Sequence, residues 1–152
     1  MKFGKRKFTK ILSFSVLALL FPIKILLAAT KKIINPNLSK EQKNIMFNEG
    51  TERPFTSYLL KEKRKGFYHC ANCGNKLFTS TAKFDSGTGW PSFSEALPGA
   101  FKTKIDYSFG MERVEYHCAK CGAHHGHVFN DCPKESGKRF CNNGLCLIFK
   151  PE

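Results

Sequence analysis

Arg139-Phe140-Cys141-Asn142-Asn143 sets a cysteine between a guanidinium and two amides. A neighbouring cation favours the thiolate, the form of sulfur that attacks electrophiles, and amide groups supply hydrogen-bond donors beside it. Upstream, AHHGHVFND (123–131) packs His124, His125 and His127 close together, with Asp131 four residues after His127. Imidazole is the usual proton donor near neutral pH and also a common metal ligand. The cluster therefore reads as acid–base groups, as a second metal site with Asp131, or as surface histidines. The sole tryptophan, Trp90, lies in KFDSGTGWPSF (83–93), a loop shaped by Gly87, Gly89 and Pro91, where it either packs or forms a binding surface. A thiolate, a proton-donating histidine and an aromatic surface together suit attack of sulfur on an electrophile whose leaving oxygen takes a proton.

Four of the seven cysteines have another use. Cys70-Ala71-Asn72-Cys73-Gly74 and Cys118-Ala119-Lys120-Cys121-Gly122 repeat one unit, CxxCG. Two intervening residues turn both sulfurs of a pair toward one ion, and two such knuckles supply the four thiolates of a closed tetrahedral zinc site. Iron also accepts that set. Two disulfides or a redox pair are the competing readings. A closed site does no chemistry; it staples a small domain. Cys146, in GLCLIF, has the setting of a small buried hydrophobe, and Cys132 is also left over.

The elements that must position these groups are short. Ser39 followed by Gln42 is a capping-box pattern that predicts a helix over 40–49, stopped at Gly50. A second short helix is expected over 58–63. Beyond it, the runs GFYHC, KLFTS, AKFDS, FGMERVEYHC, GHVFN and GLCLIF are separated by turn residues and suit antiparallel strands. The expected fold is mainly β, over 39–152, with residues 30–38 as a linker.

Formal net charge is +13, and the first 29 residues hold six Lys/Arg and no acid. The remainder keeps 19 basic against 12 acidic side chains, a balance of +7. The lysines are scattered, with no run beyond KEKRK (61–65), so the excess reads as solubility and no nucleic-acid partner is expected. Residues 1–29 have a basic head, an apolar run from Ile11 to Ile23 and small residues at Ala28 and Ala29, which fits a secretory signal. The run is short of the ~20 residues of a transmembrane helix. An uncleaved anchor is the alternative, and Lys5-Arg6-Lys7-Phe8 loosely resembles a twin-arginine export signal. The protein is expected to be exported to the periplasm, or membrane-anchored if the segment is retained.

The order GTERPF, GFYHCANCG, KFDSGTGWPSF, ERVEYHCAKCGAHHGHVFND, GKRFCNN, LIF resembles the B-type methionine sulfoxide reductases from about Lys40 to Pro151. The resemblance implies two antiparallel sheets with short N-terminal helices, a structural zinc on Cys70, Cys73, Cys118 and Cys121, and reduction of the R epimer of methionine sulfoxide in oxidised proteins. It implies Cys141 as nucleophile, His127 as proton donor assisted by His124, and Trp90 as cradle of the S-methyl group. It implies that Arg139, Asn143 and Asp131 position and polarise the site. The sulfenic acid formed on Cys141 would be cleared by a second thiol, with a thioredoxin-like protein as electron donor and a monomer as the working unit.

The chain departs from the family pattern in several places. Many members carry a resolving cysteine where this chain has Thr88. Cys132 replaces a glycine beside Asp131 and is a candidate resolving thiol. Cys146, about 16 Å from Cys141 if the chain is extended, is a poor one unless the chain folds back at Gly144. His125 stands at the family's leucine and is expected to face away from His124, exposed or packing. Asn142 stands where the family has Ile or Val, which suggests a polar neighbourhood beside the nucleophile.

Overall fold

The computed structural model describes Met1 and residues 31–152. Beyond Met1, the segment expected to be an export signal or anchor lies outside the described residues. Among the described residues no helix is long and apolar enough to cross a membrane.

The first element, α1 (Lys40–Asn48), begins as its sequence predicts. The Ser39 hydroxyl accepts from the Gln42 N–H and the Gln42 side chain accepts from the Ser39 N–H, the reciprocal capping box. It stops one residue earlier than expected, with Glu49 in the left-handed conformation. The second predicted helix is a single 3-10 turn, Tyr58–Lys61.

Nine strands follow: β1 (Gly66–Cys70), β2 (Lys76–Thr79), β3 (Lys83–Phe84), β4 (Ser92–Phe93), β5 (Phe101–Asp106), β6 (Arg113–Cys118), β7 (His124–Phe129), β8 (Arg139–Asn142) and β9 (Leu147–Pro151). They form two antiparallel sheets, one of three strands in the order β2-β1-β9 and one of six in the order β3-β4-β8-β7-β6-β5. The fold is mainly β, as the sequence indicated. Aromatic rings fill the core: Phe78 stacks on Phe93 at 4.0 Å, Tyr68 meets Phe93 edge-on at 4.9 Å, and Phe101 meets Tyr116 at 4.7 Å. Such contacts add about 0.5–1.5 kcal/mol each beyond the area they bury.

Two local features aim the site. Between Tyr116↔Gly126 and His117↔His124 the β6–β7 ladder slips by one residue, a bulge at His125. A bulge re-aims side chains that strict alternation would separate, and the rings of His124 and His127 lie only 5.6 Å apart. Gly126 lies so close to β8 that a Cβ there would collide with the Cys141 carbonyl. This close approach brings β7 against β8 with His127 opposite Cys141.

The segment 31–37, read from sequence as a linker, is bonded to the knuckles. Lys32 N–H donates to Cys121 O at 3.1 Å. The Asn72 side chain accepts from Ile34 N–H at 2.8 Å and donates to Lys32 O at 2.7 Å. Backbone groups of the segment fasten it, together with the Asn35 side chain, which donates to Ala71 O at 3.0 Å.

Candidate active site and metal centre

Cys141 lies on β8 between β4 and β7, its Cα opposite Ser92 and His127. Its thiol shares a pocket of about 120 Å³ with Trp90, His124, His127, Phe129 and Asn143. The structure thus gathers five of the seven residues expected to act on substrate. The other two, Arg139 and Asp131, do not line it. Arg139 is 7% exposed and makes a two-pronged ion pair with Asp131, with both N···O distances 2.7 Å. The Arg139 guanidinium also lies over the Phe129 ring, 4.6 Å from its centre.

That pair alters the electrostatics expected of Cys141. Burial pushes the thiol up, while the Arg139 charge and hydrogen bonds from Thr88 and Arg139 pull it down; the Asp131 charge adds to the upward push. Burial wins, so the thiol sits above its ordinary range rather than below it. The sequence shows Arg139 beside the cysteine but not the carboxylate that balances it.

Thr88, at the position of the family's resolving cysteine, is one of the groups that lower the pKa of the Cys141 thiol. It belongs to a chain of hydroxyls: Thr88 to Ser86 at 2.8 Å, then Ser86 to Ser92 at 2.8 Å. Cys146 is fully buried in a 3-10 turn, Gly144–Cys146, that carries the chain from one sheet to the other. The buried strand expected from Gly144 begins three residues later, at Leu147, and of its residues only Leu147 is fully buried. Cys132 follows β7 by three residues, past the Phe129–Arg139 pair, with its N–H bonded to Gly137 O at 3.2 Å.

Each histidine of the pocket has a carboxylate that the sequence reading missed. His127 Nε2 lies 2.8 Å from Asp106 Oδ2, which also holds Arg113 at 2.7 Å. His124 Nδ1 lies 2.8 Å from Glu115 Oε1, whose other oxygen takes Lys104 at 3.0 Å. Hydrogen bonds from Ser108, then His127, and the Arg113 charge hold the Asp106 carboxyl well below its usual range. Burial pushes Glu115 up, but His124 and Lys104 outweigh it and the group stays ionised. Burial lowers His127, and Asp106 opposes only part of that effect.

Glu52 was also missed, though it lies in GTERPF. Its carbonyl accepts from Trp90 Nε1–H at 2.8 Å, its N–H donates to Asn143 Oδ1 at 2.9 Å, and its carboxylate accepts from Leu145 N–H at 3.2 Å. One residue thus fixes the Trp90 ring relative to the segment that follows Cys141. Asn142 is fully buried, with its side chain accepting from the Tyr116 hydroxyl at 2.9 Å and donating to Asn143 O at 2.7 Å. Its polarity is directed into the core. His125 is likewise fully buried, which rules out the exposed alternative, and burial pushes it down to about 4, so the ring is neutral.

The four knuckle cysteines converge from two sheets. Their sulfurs lie within 4.8 Å of one another, with Cys70 to Cys121 at 3.8 Å and Cys73 to Cys118 at 3.6 Å. A tetrahedron of sulfurs about 2.3 Å from its centre has edges of about 3.8 Å, so the set fits a metal ion. These separations are far beyond the ~2.05 Å of a disulfide, and all seven cysteines are unpaired.

Comparison with known proteins matches residues 38–151 to the SelR domain. The chain belongs to the SelR family. The chain is 47% identical over 123 residues to a protein of Methanosarcina barkeri named peptide methionine sulfoxide reductase MsrB, covering 80% of this chain and 84% of that one. Proteins of the same name from Variovorax paradoxus (56% identical over 101 residues, 66% and 74% covered) and Agrobacterium fabrum (48% over 115 residues, 75% and 85%) are also similar to this chain.

Proposed function

We propose that this SelR domain reduces methionine-R-sulfoxide in oxidised proteins to methionine, with Cys141 as nucleophile. The observation that carries the reading is the single pocket in which the Cys141 thiol, two carboxylate-bound histidines and the Trp90 ring meet. The Cys141 sulfur bonds to the sulfoxide sulfur as the thiolate, while His127, assisted by His124, delivers a proton to the sulfoxide oxygen. The oxygen ends on Cys141 as a sulfenic acid and the substrate leaves as a thioether. Cysteine sulfur is oxidised by two electrons and methionine sulfur is reduced by two. Trp90 provides the apolar wall for the S-methyl group, and Asn143 holds the edge of the pocket.

An external thiol then attacks the sulfenic acid, releases water and leaves a mixed disulfide, which a second thiol resolves. A thioredoxin-like dithiol has the required pair. Thr88 supports this route, since the side chain beside the nucleophile is a hydroxyl that forms no disulfide. Cys132 lies past the Phe129–Arg139 pair, two ladder pairs on from Cys141, and is the internal alternative. Zinc is the metal proposed for the knuckle sulfurs, where it cross-links the two sheets and supplies no chemistry to the pocket. The basic, apolar N-terminus supports export to the periplasm, or anchoring if it is retained. A monomer is the proposed working unit.

The test is turnover of the two separated epimers of a methionine sulfoxide peptide with a dithiol reductant. Loss of the R epimer alone is expected. Equal loss of both, or of the S epimer alone, would overturn the stereochemical assignment.

A further inference from the structure

His125 has no part in the proposed chemistry, yet it is completely buried in the bulge between the metal knuckles and the nucleophile. Its Nε2 lies 3.4 Å from Cys70 Sγ. Its carbonyl accepts two hydrogen bonds from one residue of the pocket, the Asn143 N–H at 2.9 Å and the Asn143 side-chain amide at 3.0 Å. The ring is held edge-on to Phe101, 5.5 Å between centres, and near-parallel to Tyr116 at 6.5 Å. A metal-bound cysteine is a thiolate and only accepts hydrogen bonds, so a nitrogen at this distance contributes as an N–H donor.

We infer that His125 is an outer residue of the metal centre: its ring donates an N–H···S hydrogen bond to the Cys70 thiolate while its backbone fastens that centre to Asn143. The inference rests on the reading of the four cysteines as a metal site. A donor to one sulfur disperses its negative charge and holds the sulfur in place, which slows loss of the ion. Partners of this kind are typically worth about 10–100-fold in metal affinity. The leucine of the family pattern could fill the space but could not donate.

The test is metal release from the full-length chain loaded with Co²⁺, followed by the thiolate-to-cobalt absorption band after addition of a chelating dye. His125→Leu is expected to release the ion about 10–100-fold faster and to shift that band, whereas His125→Gln, whose amide can donate, should stay near the parent rate. Release and band position unchanged in His125→Leu would overturn the inference. Equal acceleration in both variants would also overturn it, by showing that ring packing alone matters. A parent chain with no thiolate-to-cobalt band would overturn the metal reading and the inference with it. Trp90 fluorescence before the chelator is added checks that each loaded variant is folded.

Discussion

Oδ2 of Asp106 lies 2.8 Å from Nε2 of His127 and holds it against the pocket wall. The same oxygen is 2.7 Å from the Arg113 guanidinium, so the carboxylate is ionised and fixed. Burial holds the pKa of His127 below the ordinary range, and Arg113 and His124 add to that depression. Asp106 is the group that opposes that depression.

Asp106→Asn should therefore lower the His127 pKa further. A proton donor acts only when protonated, so activity is lost as pH rises through that pKa, and the loss should begin at lower pH in the variant. A fall in kcat/KM of about 10-fold near neutrality is expected, part of the ~10²–10⁴ that a proton donor supplies. The pH–rate profiles of parent and Asp106→Asn check this, and Asp106→Glu should restore part of the loss.

The free Cys141 thiol should alkylate slowly at neutral pH. Burial outweighs Arg139, so its half-maximal rate with iodoacetamide is expected above the ordinary thiol range of about 8.5. Arg139→Met should move it higher still. Peptide mapping of the labelled chain over a pH series separates Cys141 from the other six cysteines.

Thr88→Cys should change the product of one turnover. The Thr88 side chain is near enough to the Cys141 thiol to lower its pKa, so a second sulfur there should condense with the sulfenic acid to give a disulfide and water. Mass spectrometry after one turnover without reductant should find residues 88 and 141 linked in the variant.

Trp90→Ala should cost about 10²-fold in kcat/KM, the scale of a substrate misplaced by about 1 Å. Trp90→Phe keeps an apolar ring but loses the hydrogen bond to Glu52 O, so its loss should be smaller. Because Trp90 is the only tryptophan, titrating the parent with a methionine sulfoxide peptide should also change its intrinsic fluorescence.

The knuckles were legible because their spacing is chemical: two CxxCG units place four sulfurs at tetrahedral separations. The capping box at Ser39 was legible because its signal is local. What stayed hidden depends on pairing between strands. FKTKID (101–106) shows lysines where a half-buried strand would show apolar residues, because β5 is an edge strand with mostly exposed side chains. Missing it hid Asp106 and Lys104, which stand opposite Arg113 and Glu115 in the ladder. The bulge at His125 was invisible for the same reason, and only the family resemblance set His124 beside His127. The balance at Arg139 needed the fold of the 130–138 loop, which returns Asp131 to it.

The central claim is that Cys141 takes the oxygen from the substrate. The direct measurement is a single turnover of the reduced chain with excess methionine-R-sulfoxide peptide and no reductant. The outcome is read by trapping Cys141 with a sulfenic-acid probe and quantifying methionine. One methionine per chain and one trapped adduct on Cys141, both absent in Cys141→Ser, is the predicted result. Methionine formed equally by Cys141→Ser, or an oxidation mark on another cysteine with Cys141 left reduced, would contradict it.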